Sequence, residues 1–180
     1  MSLLSKQQGN DYLDAPVSGS VKQAEEGQLA IMVGGEQKVF EKAKPVLEKL
    51  GKLALYVGEN GAGNSAKLAI NTLLGFYAQG LAEAIIFARE NGVATQDLLT
   101  LISNSALGNI FTKIKGDAIL QNNYQAAFAL KHIAKDLRLA EHEGLQTPLA
   151  NVVVASFQAA EKTLGDEDII AIIKYIDKIK

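Results

Sequence analysis

The sequence predicts a mainly α protein, in which a short α/β piece leads into an all-α domain built around one long helix. Three observations carry that prediction. A strand-helix-strand pattern occupies residues 29–57, the size of a βαβ unit. After Gly58 the composition changes and only helical periodicity remains. An uninterrupted helical pattern opened by Gly61-Ala62-Gly63 then lasts to Asn91-Gly92, with about 28 residues or roughly 42 Å between them. The expected domains are residues 1–58 and 59–180.

Asp11 to Val17 reads as a short extended stretch ending in Pro16 and a Ser18-Gly19-Ser20 turn, since proline disfavours helix at Ala15 before it. Leu29-Ala30-Ile31-Met32-Val33 is a continuous apolar run closed by Gly34-Gly35, the pattern of a buried strand. Val39, Phe40, Ala43, Val46, Leu47 and Leu50 then fall near a 3.6-residue period, an amphipathic helix ended by Gly51. Pro45 inside that pattern predicts a kink or a division. Leu53 to Val57 is the next strand, its pairing direction left open by the sequence.

The long helix is apolar nearly all round in its middle, from Leu68 and Ile70 through Phe76 and Tyr77 to Ile86 and Phe87. Such a helix must be wrapped by others or by a partner subunit. Further helices are expected over Gln96 to Asn104 behind a Thr95 cap, Phe111 to Leu120, Phe128 to Glu143, and Leu149 to Leu164. Gly165 ends that series, and Asp166 caps a last helix, Glu167 to Ile179.

Composition excludes several classes. The 180 residues carry 18 Lys+Arg against 20 Asp+Glu, a net charge of −2, so the basic excess needed for nucleic acid or an anionic membrane is missing. Without Cys there is no disulfide, thiolate metal site or Cys nucleophile, which fits a reducing, cytoplasmic setting. His132 and His142 are too few and too scattered for a metal centre. Met1 to Lys6 has no basic region of the signal-peptide kind. The longest charge-free apolar stretch, Leu68 to Ala82, falls short of the roughly 20 residues of a spanning helix.

Three constellations could carry chemistry. Asp14-Ala15-Pro16-Val17-Ser18-Gly19-Ser20 is either an ordinary strand exit or an anion nest of backbone N–H groups and hydroxyls. In Gly61-Ala62-Gly63…Lys67…Asn71 the lysine sits in an early helical turn, where the helix dipole and desolvation would depress its pKa toward that of a usable proton donor. Asn71, four residues on, shares its face. The alternative is a snorkelling lysine beside an asparagine that satisfies backbone. Phe128, Lys131, Lys135 and Arg138 form a basic stripe beside one aromatic, opposite Ile133, Leu137 and Ala140. Such a stripe is either a solvated face or one wall of a cleft.

Taken together and in this order, the motifs resemble those of the β-hydroxyacid dehydrogenase family, the group of 3-hydroxyisobutyrate dehydrogenase and glyoxylate or tartronate semialdehyde reductase. Asp14 to Gly19 is similar to its substrate-binding motif, Gly61-Ala62-Gly63 with Lys67 and Asn71 to its catalytic motif, and Lys135-Asp136-Leu137 with Leu139-Ala140 to its cofactor-proximal motif. The resemblance implies that residues 1–58 are a remnant of a Rossmann-type dinucleotide-binding domain and that 59–180 form the substrate and oligomerisation domain. It implies NAD or NADP as cofactor and hydride transfer at a small carboxylate substrate. Lys67 becomes the general acid/base, Ser18, Gly19, Ser20 and Asn71 the substrate-binding residues, and Lys135 and Phe128 the cofactor-binding ones. A homodimer or homotetramer is expected.

Two departures stand out. No G-x-G-x-x-G fingerprint lies in a strand-turn-helix, so the pyrophosphate site is missing from this chain. Ser20 replaces a second glycine of the substrate motif. A competing function is therefore a non-catalytic helical dimerisation module left by truncation. Ile70, directly before Asn71, argues against 6-phosphogluconate dehydrogenase, whose motif has His there, and Lys67 argues against imine reductases.

Overall fold

A computed structural model of the chain describes residues 2–180. By compactness it divides into two units, Met1–Ile70 and Asn71–Lys180.

The first unit opens with a short helix α1 (Ser2–Gln7) and two short strands, β1 (Leu13–Asp14) and β2 (Val17–Ser18). The expected single extended stretch is interrupted at Ala15-Pro16, because proline has no N–H to give the ladder. The Pro16 carbonyl still accepts from Met32 N at 3.0 Å. Helix α2 (Val21–Glu25) follows, then β3 (Leu29–Gly35), α3 (Gln37–Leu50) and β4 (Gly51–Gly58). Strands β1 and β2 lie antiparallel along one edge of β3 in a single register, Leu13 opposite Gly35 and Ser18 opposite Ala30. On the other edge β4 runs parallel, which answers the question that the sequence left open.

The sheet and α3 enclose a small core of Ile31, Val33 and Phe40, with Tyr56 tilted over Phe40 at 5.6 Å. Contrary to expectation, α3 passes through Pro45 unbroken. Pro45 lies on the exposed side, so the carbonyl that loses its partner faces water rather than the core. Val46 and Leu50 also remain exposed, and Phe40 is the residue of α3 that is fully buried.

Helix α4 (Ala62–Glu90) is the long helix; its residues as far as Ile70 belong to the first unit. By length and composition it would suffice to cross a bilayer, although its charge-free stretch is shorter than that. Half of its apolar window is buried, as in the central helix of a bundle. In the second unit it is followed by α5 (Thr95–Ser103), α6 (Ile110–Leu120), α7 (Leu130–His142) and α8 (Pro148–Leu164). A 3-10 turn (Ile169–Ala171) and α9 (Ile172–Ile179) complete it.

The core joins Ala78, Ala82 and Ile85 of α4 to Ile133 and Leu137 of α7, Val153 and Phe157 of α8, and Ile169 to Ile173. Each such large side chain contributes roughly 1.5–3 kcal/mol by leaving water. The α7 pattern is complete: Leu130, Ile133, Ala134, Leu137 and Ala140 are all buried. Wrapping of α4 is not complete, since Leu73, Tyr77 and Phe87 stay exposed.

At three helix starts the cause differs from the sequence reading. Thr95 is the first residue of α5, and extended Ala94 is its cap. Phe128 precedes α7, which starts at Leu130 because Leu130 N–H and Lys131 N–H bond to the carbonyls of Glu167 and Gly165. The last helix begins later than Glu167 because Asp168, not Asp166, caps the turn before it. Asp166 instead pairs with Lys131.

Candidate functional site

In the α/β unit, the start of α4 is fixed by one side chain. Asp14, at the end of β1, is 5% exposed, and its carboxylate accepts from the N–H of Gly61 at 2.7 Å and of Asn64 at 3.0 Å. Two of the donors that a helix leaves unpaired at its N-terminus are thereby satisfied. The fit depends on absent side chains. A Cβ on Gly63 would stand 2.6 Å from the Met32 carbonyl oxygen and 2.7 Å from that of Asp14, so the helix seats against the sheet backbone only with glycine there. Gly63 of the Gly61-Ala62-Gly63 motif thus has a structural cause, and Gly61 turns the chain at φ +99. Asp14 also places a negative charge at the positive end of α4, offsetting the helix dipole there.

Lys67 follows in the second turn, half-buried, and Asn71 comes one turn later on the same helix. In the helical unit Asn71 is 3% exposed and donates through Nδ2 to Asp136 Oδ2 at 2.6 Å. The other carboxylate oxygen of Asp136 pairs with Lys135 Nζ at 2.8 Å. The structure thus joins Asn71 to Lys135 through Asp136, to which the motifs assign no role. The signal was available: an Asp beside the buried Leu137 on the inner edge of α7 has to find a partner.

The basic stripe of α7 is exposed and ion-paired along its length. Lys131 meets Asp166 at 2.6 Å, and Arg138 meets Glu161, whose hydrogen bond raises the guanidinium pKa further. Phe128 stands beside this stripe rather than within α7, half-buried, its ring 5.9 Å from that of His132. Its loop is held by Asp168, which is 2% exposed and accepts from Ala127 N at 3.0 Å, Phe128 N at 3.3 Å and Ile170 N at 3.1 Å. Lys115 Nζ closes that cluster at 2.7 and 2.8 Å. Nothing in the local sequence signals a pair separated by 53 residues.

Of the substrate-motif residues, Ser18 pairs with Ala30 on β3, and Gly19 turns the chain at φ +148, where a side chain would strike Leu29. Ser20 caps α2, and both its N–H and its hydroxyl point at Gln23 Oε1. A separate cavity of about 820 Å³ in this unit is lined by Gly35, Glu36, Lys38, Glu41, Tyr56 and Glu59, among others. Three carboxylates against one ammonium do not suit a pyrophosphate. Lys135, its side chain 57% exposed, and the half-buried ring of Phe128 are the groups of this helical unit with the chemistry to meet a phosphate and a ring. Among the described residues, no three His, Cys, Asp or Glu cluster as metal ligands would.

Residues 61–176 match the family model for the NAD-binding domain of NADP-dependent 3-hydroxyisobutyrate dehydrogenase. Residues 2–58 match that for the NAD-binding domain of 6-phosphogluconate dehydrogenase. The chain belongs to the 3-hydroxyisobutyrate dehydrogenase family. It is 36% identical, over 99% of its length, to glyoxylate/succinic semialdehyde reductase 2, chloroplastic, of Arabidopsis thaliana, covering 52% of that protein. With 2-(hydroxymethyl)glutarate dehydrogenase of Eubacterium barkeri it shares 36% identity over 97% of its own length and 60% of the relative's. Among solved structures, 3-hydroxyisobutyrate dehydrogenase of Mycobacterium tuberculosis with L-serine superimposes with a TM-score of 0.87 at 29% identity, over 97% of this chain and 64% of that one. The chain thus spans a little over half the length of these family members. Their names are those of reductases and dehydrogenases, which lends no support to a non-catalytic module.

Proposed function

We propose that the chain is the substrate-side portion of an NAD(P)-dependent 3-hydroxyacid dehydrogenase or semialdehyde reductase, acting on a small carboxylate. Residues 1–58 are the trailing part of the dinucleotide-binding domain, and 59–180 the substrate and oligomerisation domain. The observation that carries this reading is the placement on α4 of Lys67 one turn before Asn71, with Asp14 locking the helix start and Asp136 holding the asparagine amide.

The nicotinamide, NAD or NADP, supplies or accepts the hydride. Lys67 Nζ gives its proton to the carbonyl oxygen as negative charge develops there, and takes it back in the oxidative direction. Asn71 orients the substrate, while Ser18, Gly19 and Ser20 receive its carboxylate. Lys135 and Phe128 lie against the cofactor. Assembly is as a homodimer or homotetramer, and the compartment is the cytoplasm.

The test is steady-state reduction of glyoxylate by NADPH, with the chain fused behind the nucleotide-binding segment of a family member. Removing a positioned general acid typically costs 10²–10⁴-fold, about 3–5 kcal/mol. Lys67→Ala is expected to collapse kcat while KM moves little. Lys67→Arg is expected not to rescue it, because guanidinium holds its proton. Asn71→Ala is expected mainly to raise KM. A Lys67→Ala enzyme within tenfold of the parent kcat makes Lys67 a structural lysine.

A further inference from the structure

Phe128 has no helix of its own to hold it. It lies between α6, which ends at Leu120, and α7, which begins at Leu130. Both of its backbone polar groups are nevertheless taken by two consecutive residues far along the chain. Its N–H donates to Asp168 Oδ2, and its carbonyl accepts from the N–H of Ile169 at 2.9 Å. The neighbours are tied to the same place: Ala127 N–H donates to the same carboxylate oxygen, Ala129 bridges to Asp168, and Leu130 N–H reaches the Glu167 carbonyl at 2.8 Å. A residue gripped at both N–H and C=O has its backbone direction set, and with it the point from which its side chain departs.

Lys115 completes the device. Its ammonium bridges both oxygens of Asp168, and Ile170 N–H holds Oδ1 from the other side, which fixes how the carboxylate is turned. Stability alone does not call for charge at this spot, because exchanging a buried ion pair for apolar residues of similar volume is often neutral or stabilising. What an apolar pair would lack is the oxygen that holds residues 127 and 128. Next to the Phe128 ring stands the exposed His132, with the two ring centres 5.9 Å apart. His132 shares its side of α7 with Lys135 and Asp136, three and four residues on, and Asp136 is the partner of Asn71.

We infer that Asp168, oriented by Lys115, is the positioning residue of Phe128. From 40 residues along the chain it sets where the aromatic ring stands beside α7. Its bearing on hydride transfer rests on the placing of Phe128 against the cofactor proposed above.

The chain has two histidines, and one of them reads the ring. In proton NMR of the full chain, Phe128→Leu is expected to shift the imidazole signals of His132 and to leave those of the exposed His142 in place. Lys115→Met/Asp168→Leu keeps the buried space filled but removes the acceptor. It is expected to retain the far-UV circular dichroism of the parent and to shift His132 as far as Phe128→Leu does. A folded double variant with His132 unmoved would show that the pair serves stability alone, and overturns the positioning role. So does a Phe128→Leu chain with His132 unmoved, since the ring then stands elsewhere. Asp168→Asn, of the same shape, answers the same question if the double variant does not fold; if neither folds, the pair holds the fold rather than the ring, and the role is overturned. In the fused enzyme, Lys115→Met/Asp168→Leu is expected to raise KM for NADPH as far as Phe128→Leu does, and the triple variant no further. Additive losses overturn action through Phe128. Unchanged NADPH kinetics in Phe128→Leu would instead remove Phe128 from the cofactor site, while the His132 signal still decides the role of Asp168.

Discussion

Asp14 is the residue on which the α/β unit turns. Its two acceptor bonds reach 47 and 50 residues along the chain, to Gly61 and Asn64. Truncating a buried acceptor strands its donors at about 1–3 kcal/mol of desolvation. Asp14→Ala is therefore expected to destabilise the chain by roughly 2–3 kcal/mol in urea denaturation. Asp14→Asn is expected to cost less, since an amide oxygen serves one N–H while its NH2 opposes the other. Equal stability of Asp14→Ala and the parent would show that water replaces the cap. The motif around Asp14 was legible in the sequence, but the direction of its carboxylate was not. A strand-end aspartate looks like a ligand for something external until the helix start that consumes it is in view.

Among elements, the segment before α7 has the least local cause. Lys115 of α6 and Asp168 before α9 pair at 2.7 Å, with side chains 11% and 3% exposed, and that carboxylate also holds the backbone of residues 127 and 128. Removing one partner of such a pair leaves a buried charge, about 3–5 kcal/mol. Asp168→Ala should lose that much stability, whereas the double change Lys115→Met/Asp168→Leu should lose distinctly less. Calorimetric melting of both variants decides it, and equal losses would show that the backbone bonds to Asp168, not its charge, matter most. The apolar period placed the buried face of α7 from sequence, because Ile133, Leu137 and Ala140 carry it locally. It could not place Phe128 outside the helix, because the carbonyls that begin α7 belong to Gly165 and Glu167. Pro45 misled for the opposite reason: the local penalty is real, but an exposed position in a continuous helix absorbs it.

For the chain as a whole, acid and alkali should act at the far end of the helical unit. Hydrogen bonds from Lys180, and then from Arg89, hold the Asp177 carboxyl below its ordinary value, and those that Lys180 donates to Asp177 and Glu90 raise its own pKa. A depressed carboxylate contributes stability above its unfolded pKa, near 3.9, and loses it as pH falls through the lower folded value. A raised lysine contributes fully below about 10.4 and loses its contribution as pH rises through the higher folded value. Melting temperatures of the parent and Asp177→Asn should accordingly differ at pH 7 and converge in strong acid. A constant gap across that range would mean that the ion pairs are not its origin. The missing glycine fingerprint makes a second expectation for the chain: calorimetry should find NADH and NADPH bound only weakly, because a pyrophosphate cradle supplies much of dinucleotide recognition. Micromolar affinity would mean that the trailing strands bind it by other means.

The long bonds of Asp14 also have a consequence for the order in which the molecule forms. A 29-residue helix can nucleate from its own sequence within about a microsecond, whereas β1 must find β3 across a longer stretch of chain. The first turn of α4 gains its cap only when that strand has delivered the carboxylate. Lys67 should then be among the last residues to reach its final place, in a helix whose middle was complete long before. Pulse-labelled hydrogen exchange would read this directly, with the amides of Gly61 and Asn64 gaining protection in step with Met32 rather than with Ala82.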